Sequence, residues 1–135
     1  FKINNSLYPI GEKKPVSIYK LLSKIKSMNR NDYDLAKSIY KKITLPINKN
    51  LLDNYIVMSH MNDLYYCKKN NEHRLCSAYE ESKIIIYNTF IKLVTTNNIS
   101  SFFKDLYSVN NNLFFVDFDN KDYFFLNEFK LKLLV

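Results

Sequence analysis

Apolar residues recur every three or four positions through the first half of the chain, which is the spacing of one face of an α-helix. The segment PVSIYKLLSKIKSMN shows this pattern at Ile18, Leu21, Leu22, Ile25 and Met28. It predicts a first helix over 16–28, with Pro15 near the start, where its missing N–H is tolerated. The segment NDYDLAKSIYKKI predicts a second helix over 32–43, which opens with acidic residues, ends with two lysines and is stopped by Pro46.

Three further segments also favour helix. Apolar stripes predict helices over 51–66, 74–94 and 99–108. Within the second of these segments, the run from Ile84 to Tyr87 is continuous and β-branched, so a strand is the alternative there. The helix-forming residues that flank this run, and the length of the segment, favour the helix.

The helical segments also resemble one another. When the sequence is displaced by about 33 positions, six apolar positions of the first helical region fall on apolar positions of the 51–66 region. Two helices per unit at this spacing are typical of an α-solenoid, in which stacked units bury a shared core. Any helical domain with loops of similar length gives some coincidences of this kind, which is the simpler interpretation.

The period changes from 3.6 to two after the asparagine run at 110–112. The segments LFFVDF and KDYFFL, joined across Asp119 and Asn120, predict a β-hairpin. The expected fold is therefore mainly α, with antiparallel helical hairpins over 1–112 and a β-hairpin with a basic tail over 113–135. A winged-helix domain has the same order of elements and is a rival. Both faces of the hairpin are apolar, so we expect a second cover for it, and Val135 is not expected to be a natural domain end.

The composition is that of one globular domain or a fragment of one. The chain has 135 residues, of which 47% are hydrophobic and 24% charged. One glycine and no tryptophan stand beside 11 tyrosines and ten phenylalanines, a usage typical of an AT-rich genome. No apolar run approaches the roughly 20 residues of a membrane span, so we expect a soluble protein with no membrane partner.

Positive charge is concentrated near the start of the sequence. Residues 1–50 contain 11 Lys or Arg against three acidic residues, and residues 51–135 contain nine against ten. A one-sided positive face attracts phosphate polyanions, so this asymmetry predicts nucleic-acid binding. A solvated, lysine-rich face is the alternative. The predicted RNA contacts are Lys20, Lys24, Lys26, Arg30, Lys37, Lys41 and Lys42, with Lys130 and Lys132 in the tail.

Residues that could carry chemistry are few. Cys67 and Cys76, together with His60 and His73, match no common zinc spacing, so we expect free, partly buried thiols, with a disulfide as the alternative. The single glycine, Gly11, rules out a glycine-rich phosphate loop. The sequence therefore predicts a protein that is not an enzyme, with no cofactor, no metal and no small-molecule substrate.

Two parts of the chain resemble one known family. The helical pairs IYKLLSKIKSMNRNDYDLAKSIYKKI and LLDNYIVMSHMNDLYY resemble the heptatricopeptide-type repeats of apicomplexan and organellar proteins, which precede a RAP domain in those chains. The segment FVDFDNKDYFFLNEFKLKLL is similar in outline to the start of that domain. Asp119 stands at its acidic turn, Phe124 at the following aromatic position, and the KLKLL run at its basic helix. Asn120 and Lys121 replace the family's Gly-Pro, and Tyr123 replaces its His.

The resemblance implies a non-catalytic RNA-binding protein of the mitochondrion or another organelle. Its partners would be RNA, including ribosomal RNA, and other protein subunits of a ribonucleoprotein or mitochondrial ribosome. RAP domains resemble nucleases in fold, so Asp117 and Asp119 could be relics of a metal pair, although solvated turn formers are the expected reading. The alternative function is a small helical protein of a parasite or virus that binds a host protein through an apolar groove, in the host-cell cytoplasm.

Overall fold

The structure is a computed structural model that describes residues 1–4, 15–96, 100–110 and 112–127, and it contains both helices and β-sheets. In chain order the elements are α1 (Pro15–Ser27), α2 (Tyr33–Ile43), α3 (Lys49–His60), β1 (Tyr66–Lys69), β2 (Glu72–Cys76), β3 (Glu81–Ile86), β4 (Ile91–Thr95), α4 (Phe102–Val109), β5 (Phe114–Asp117) and β6 (Asp122–Phe125). A 3₁₀ turn, Arg30–Asp32, directly precedes α2. None of the described helices has the length and apolar character needed to cross a membrane.

The chain divides into two compact units. Unit 1 consists of Phe1–Leu45 and Asn112–Val135, and unit 2 is the intervening segment Pro46–Asn111. Unit 1 therefore contains α1, α2 and the β5–β6 hairpin. Unit 2 contains α3, the four strands β1 to β4, and α4.

Unit 1 is built where α1 meets the hairpin. Ile18 and Leu22 lie one turn apart on α1 and are almost fully buried. They cluster with Phe114 and Phe125, which are directly opposite each other in the antiparallel β5–β6 register. The burial of these large apolar side chains is what holds the helix on the hairpin.

The hairpin uses its two faces differently. On the α1 side, Tyr19 stacks on Tyr123 with ring centroids 4.6 Å apart. On the other face Phe115 stacks on Phe124 at 4.7 Å. The loop between the strands has four residues, and Lys121 takes a positive φ of 54° within it. The hairpin thus has a longer loop than the two-residue turn that the sequence predicts.

Unit 2 is an antiparallel meander of four strands in the order β1-β2-β3-β4. Asn70 takes a φ of 57° in the two-residue turn between β1 and β2, a conformation that asparagine tolerates better than most residues. Burial alternates along the inner strands: His73 and Leu75 are buried on β2, and Ile84 and Ile86 on β3. The sheet therefore has one inward face, and α3 packs near β3 and α4.

The prediction of a mainly α protein was wrong, and the error lies in unit 2. The helix predicted over 51–66 ends at His60, and the segment predicted as a helix over 74–94 consists of strands. The strand alternative for Ile84 to Tyr87 was the correct one. The helix-forming residues Glu81 and Lys83 occupy outward positions of β3, so burial of one sheet face overrode local propensity. The predicted α-solenoid disappears with these helices.

The other predicted elements are close to those observed. Helices predicted over 16–28, 32–43 and 99–108 correspond to α1, α2 and α4 within about three residues at each end. These helices have a single apolar stripe and a polar opposite face, which is the pattern that sequence reading detects best. The β-hairpin expected near residue 119 is present as β5 and β6.

Candidate functional site

Helix α3 carries apolar residues on two different faces. Leu52 and Ile56 point inward and are almost fully buried. Leu51, Tyr55 and Met58, at spacings of four and three residues, form a second stripe that is 55%, 39% and 72% exposed. A surface helix normally has one apolar face and one polar face, so the outer stripe is unexplained by packing within the chain.

Exposed apolar residues continue along the chain beyond the end of α3. Met61, Leu64 and Tyr65 are 65%, 94% and 58% exposed. We call the six residues together the α3 outer surface: Leu51, Tyr55, Met58, Met61, Leu64 and Tyr65. Exposed apolar side chains that form a continuous patch mark protein-binding sites, and Leu51, Tyr55 and Met58 share one side of α3. Methionine suits this role because its flexible thioether adapts to a partner's shape.

A buried polar network fixes α3 from the inside. The Lys49 ammonium donates to Asp53 Oδ2, one turn further along the helix. The other carboxylate oxygen, Oδ1, lies 2.7 Å from His73 Nε2 on β2, and His73 Nδ1 lies 2.8 Å from the Tyr66 hydroxyl on β1. Asp53 and His73 are both buried, so these hydrogen bonds satisfy groups that would otherwise be costly to remove from water.

The protonation states in this network follow from its surroundings. Burial alone would raise the pKa of Asp53, but hydrogen bonds from His73 and Lys49 outweigh it, and the pKa lies below its usual value. Burial lowers the pKa of His73, with Asp53 opposing the shift. A neutral imidazole that donates from Nε2 to Asp53 and accepts at Nδ1 from the Tyr66 hydroxyl uses both nitrogens. Burial, followed by nearby negative charges, raises the pKa of Tyr66, so its hydroxyl keeps the proton that it donates.

A second set of polar contacts fixes the C-terminal end of α3. His60 Nε2 lies 2.6 Å from Asp105 Oδ2 on α4, and the Ser59 hydroxyl donates to Asp105 Oδ1 at 2.8 Å. The His60 ring also stacks on Tyr66, with centroids 5.4 Å apart, and meets the edge of Phe102. The helix is therefore anchored to the sheet and to α4 within unit 2. Polar contacts of this kind hold a surface in one orientation.

The two Asp–His pairs resemble parts of catalytic sites, but their geometry favours a positioning role. The His73 side chain is fully buried, and both of its ring nitrogens are engaged. Ser59 donates to Asp105 and not to an imidazole, so no activated hydroxyl results. In the sequence, His60 and His73 fit neither a common zinc spacing nor a recognisable nucleophile setting. The signal that was missed is their position, because His73 faces inward on β2 and His60 lies at the end of α3.

The remaining chemical candidates do not converge. Within the described ranges, no group of three or more His, Cys, Asp or Glu side chains is placed to hold a metal ion. Cys67 and Cys76 are free thiols, and both are exposed rather than partly buried. Asp117 accepts hydrogen bonds from the backbone and side chain of Asn120, and its pKa is lowered mainly by the side-chain bond. It acts there as a turn former.

The predicted RNA contacts lie on several faces of α1 and α2. Lys20 and Lys24 are one turn apart on α1, while Lys26 is on another side, with its ammonium 4.5 Å from the centroid of the Phe118 ring. On α2, Lys37 and Lys41 are one turn apart, and Lys42 is about 100° further around the helix. Arg30 lies in the 3₁₀ turn. Lys130 and Lys132 fall outside the described residues.

Two of the predicted contacts that lie within the described residues share one site. Arg30 and Lys37 both line a groove of about 400 Å³ between α1 and α2. RNA binding by these residues remains a prediction from charge alone.

A known protein family matches most of the chain. The family model described as "Sporulation inhibitor of replication protein SirA" matches residues 12–130, which is most of the chain. No curated protein sequence matches the chain. SirA is a small bacterial family and has neither helical repeats nor a RAP domain, so the resemblance to heptatricopeptide-repeat and RAP proteins was wrong.

Proposed function

We propose a function from the premise that this chain belongs to the SirA family of sporulation inhibitors of replication. The chain is a small, non-catalytic regulator that slows DNA replication by binding a protein of the replication apparatus. The observation that carries the proposal is the α3 outer surface. An inhibitor without a reactive site must act by occupying a surface, and this surface has the apolar character that such binding needs.

The anchoring of α3 supports this proposal. Exposed apolar side chains on a loosely held helix would favour nonspecific association. The Asp53 and Asp105 contacts fix both ends of α3, so the outer stripe is presented with little freedom to lose on binding. Pre-ordered surfaces bind more tightly than mobile ones of equal area. The buried polar residues therefore serve the binding surface without touching the partner.

The size of the effect can be estimated from exposure. Leu51 and Met58 are 55% and 72% exposed, and full burial of such side chains contributes about 1.5–3 kcal/mol each. The exposed part of each therefore contributes roughly 1–2 kcal/mol when a partner covers it. Replacing both by glutamine, which keeps helix propensity, should weaken binding by at least about 30-fold.

The test is inducible expression of the 135-residue chain in growing cells of a spore-forming bacterium, with DNA synthesis followed by thymidine incorporation. We expect the unchanged chain to reduce incorporation and the Leu51→Gln/Met58→Gln variant to lose most of this effect. The matched control is Tyr79→Gln, which replaces an 88% exposed side chain elsewhere in unit 2 and should inhibit fully. Equal circular dichroism spectra would show that the variants fold.

A direct readout comes from a photo-crosslinker. Benzoylphenylalanine at position 58 should form an adduct with one protein of the replication apparatus, and the same group at position 79 should not. Full inhibition by the double variant, or adducts of equal yield from both positions, would contradict the proposal.

A further inference from the structure

A second surface, in unit 1, has a different chemistry. The groove between α1 and α2 is lined by apolar side chains and by two cations, and Arg30 and Lys37 are the cations. Ile25 and Met28 contribute from the end of α1 and just beyond it, and Tyr33 and Tyr40 contribute from α2. Ile25 and Met28 are three residues apart, and Tyr33 and Tyr40 are seven residues apart. At these spacings the two members of each pair lie on the same side of their segment.

The two cations are available to a ligand. Neither Arg30 nor Lys37 forms an ion pair with any carboxylate in the part of the chain that the structure describes, and both side chains are exposed. The acidic residues at the start of α2, Asp32 and Asp34, do not line the groove. Unit 1 as a whole has 13 Lys or Arg against seven acidic residues, whereas unit 2 has seven against six.

We propose that this groove binds an acidic amphipathic segment of a protein partner, with apolar side chains on the groove floor and carboxylates against Arg30 and Lys37. The positive charge of the groove selects ligands of negative charge, because two unpaired cations beside apolar side chains favour carboxylates and disfavour basic segments. The arginine can hold a carboxylate through two parallel hydrogen bonds, which also fixes its orientation. Helix-in-groove binding of this kind is a common mode of peptide recognition.

A protein segment fits this groove better than RNA. Binding to a nucleic-acid backbone needs a row of cations that follows the phosphates, and the groove has two. Lys20 and Lys24 are absent from its lining, and Lys26 lies against Phe118. The lining includes the apolar side chains of Ile25 and Met28, which suit leucine or phenylalanine side chains of a peptide.

The probe is a fluorescein-labelled 16-residue helical peptide with leucine at positions i, i+4, i+7 and i+11 and glutamate at most others. A second peptide has lysine in place of every glutamate. Binding to the 135-residue chain is measured by fluorescence anisotropy. We expect the acidic peptide to bind and the basic peptide to bind at least about tenfold more weakly.

The charge-reversed variant Arg30→Glu/Lys37→Glu should bind the acidic peptide at least about tenfold more weakly than the unchanged chain does, and it should bind the basic peptide more tightly. This exchange of preference cannot arise from unfolding. The matched control, Lys92→Glu/Lys104→Glu, makes the same change in net charge at exposed positions of unit 2 and should bind like the unchanged chain. The Leu51→Gln/Met58→Gln variant should also bind the acidic peptide normally, because the α3 outer surface is a separate site.

Several results would overturn the inference. One is that the acidic peptide does not bind, and another is that both peptides bind equally well. A third is that the charge-reversed variant and its control lose the same amount of affinity for the acidic peptide. Binding of an oligouridine through Arg30 and Lys37 in preference to the acidic peptide would also overturn it, in favour of nucleic acid. Loss of peptide binding in the α3 variant alone would assign the peptide to the other surface.

Discussion

The protonation of His73 predicts how the stability of unit 2 depends on pH. Its imidazole is fully buried on β2. The groups that act on it are Asp53 and Lys49 on α3, and Tyr66 and Lys68 on β1. Burial lowers its pKa in the folded protein, while in the unfolded chain the imidazole has its ordinary pKa of about 6.5. Below that pH the unfolded state binds the proton more readily than the folded state.

The sign and the size of the effect follow from this difference. Since the unfolded state takes up more protons, the free energy of unfolding falls as pH falls below about 6.5. If His73 stays neutral in the folded protein, the loss between pH 7.5 and pH 5 reaches at most about 2 kcal/mol. Asp53 affects stability in a lower pH range. Because its pKa is lowered in the folded protein, it contributes stability above about pH 4, and this contribution is lost only in stronger acid.

The assay is urea unfolding followed by circular dichroism at pH 7.5, 6.5, 5.5 and 5.0. The comparison is with His73→Gln, whose amide can donate to Asp53 but does not titrate. The variant should be less stable at pH 7.5 by about 1–3 kcal/mol, because hydrogen bonds of buried groups are lost. Its free energy of unfolding should then fall less steeply with acid than that of the unchanged chain. Every other titrating group is common to both proteins, and Asp53, which also loses its His73 partner, acts in stronger acid, so the difference in slope is assigned to His73.

Parallel curves for the two proteins would refute this reasoning. So would an NMR titration in which the His73 imidazole protonates at pH 6.5 or above in the folded protein. Either result would mean that Asp53 attracts a proton to the ring more strongly than burial excludes it.

Two further predictions concern stability. Ile56→Ala should lower the free energy of unfolding, measured by urea unfolding, by about 2–5 kcal/mol. Met58→Ala, two positions along the same helix, should change it by less than about 0.5 kcal/mol. Similar costs for the two variants would mean that the outer stripe is packed within the chain. Asn70→Gly should leave stability nearly unchanged, and Asn70→Val should lower the free energy of unfolding by about 1–2 kcal/mol, because residue 70 takes a positive φ. Equal melting temperatures of the two variants would show that the β1–β2 turn adopts another conformation.

The sequence alone was enough to predict α1, α2, α4 and the β5–β6 hairpin. Each has a regular apolar period, and the turns between them contain proline, asparagine or aspartate. These signals are local, since they depend on neighbours within one or two turns. The local signal in 74–94 was ambiguous, because a continuous β-branched run lies beside helix-forming residues there. Which of the two governs depends on whether a sheet face is buried, and that is a property of the whole unit.

The candidate sites depended still more on tertiary structure. The sequence identified Leu51, Tyr55 and Met58 as apolar but could not tell an outer stripe from a core stripe, because both have helical spacing. Asp53 and His73 are 20 positions apart and meet only because α3 packs against the sheet. Arg30 and Lys37 were predicted as binding residues from charge, yet only the packing of α1 on α2 separates them from the other cations. Spacing along a chain determines which face of one element a residue occupies, and the packing between elements determines what that face meets.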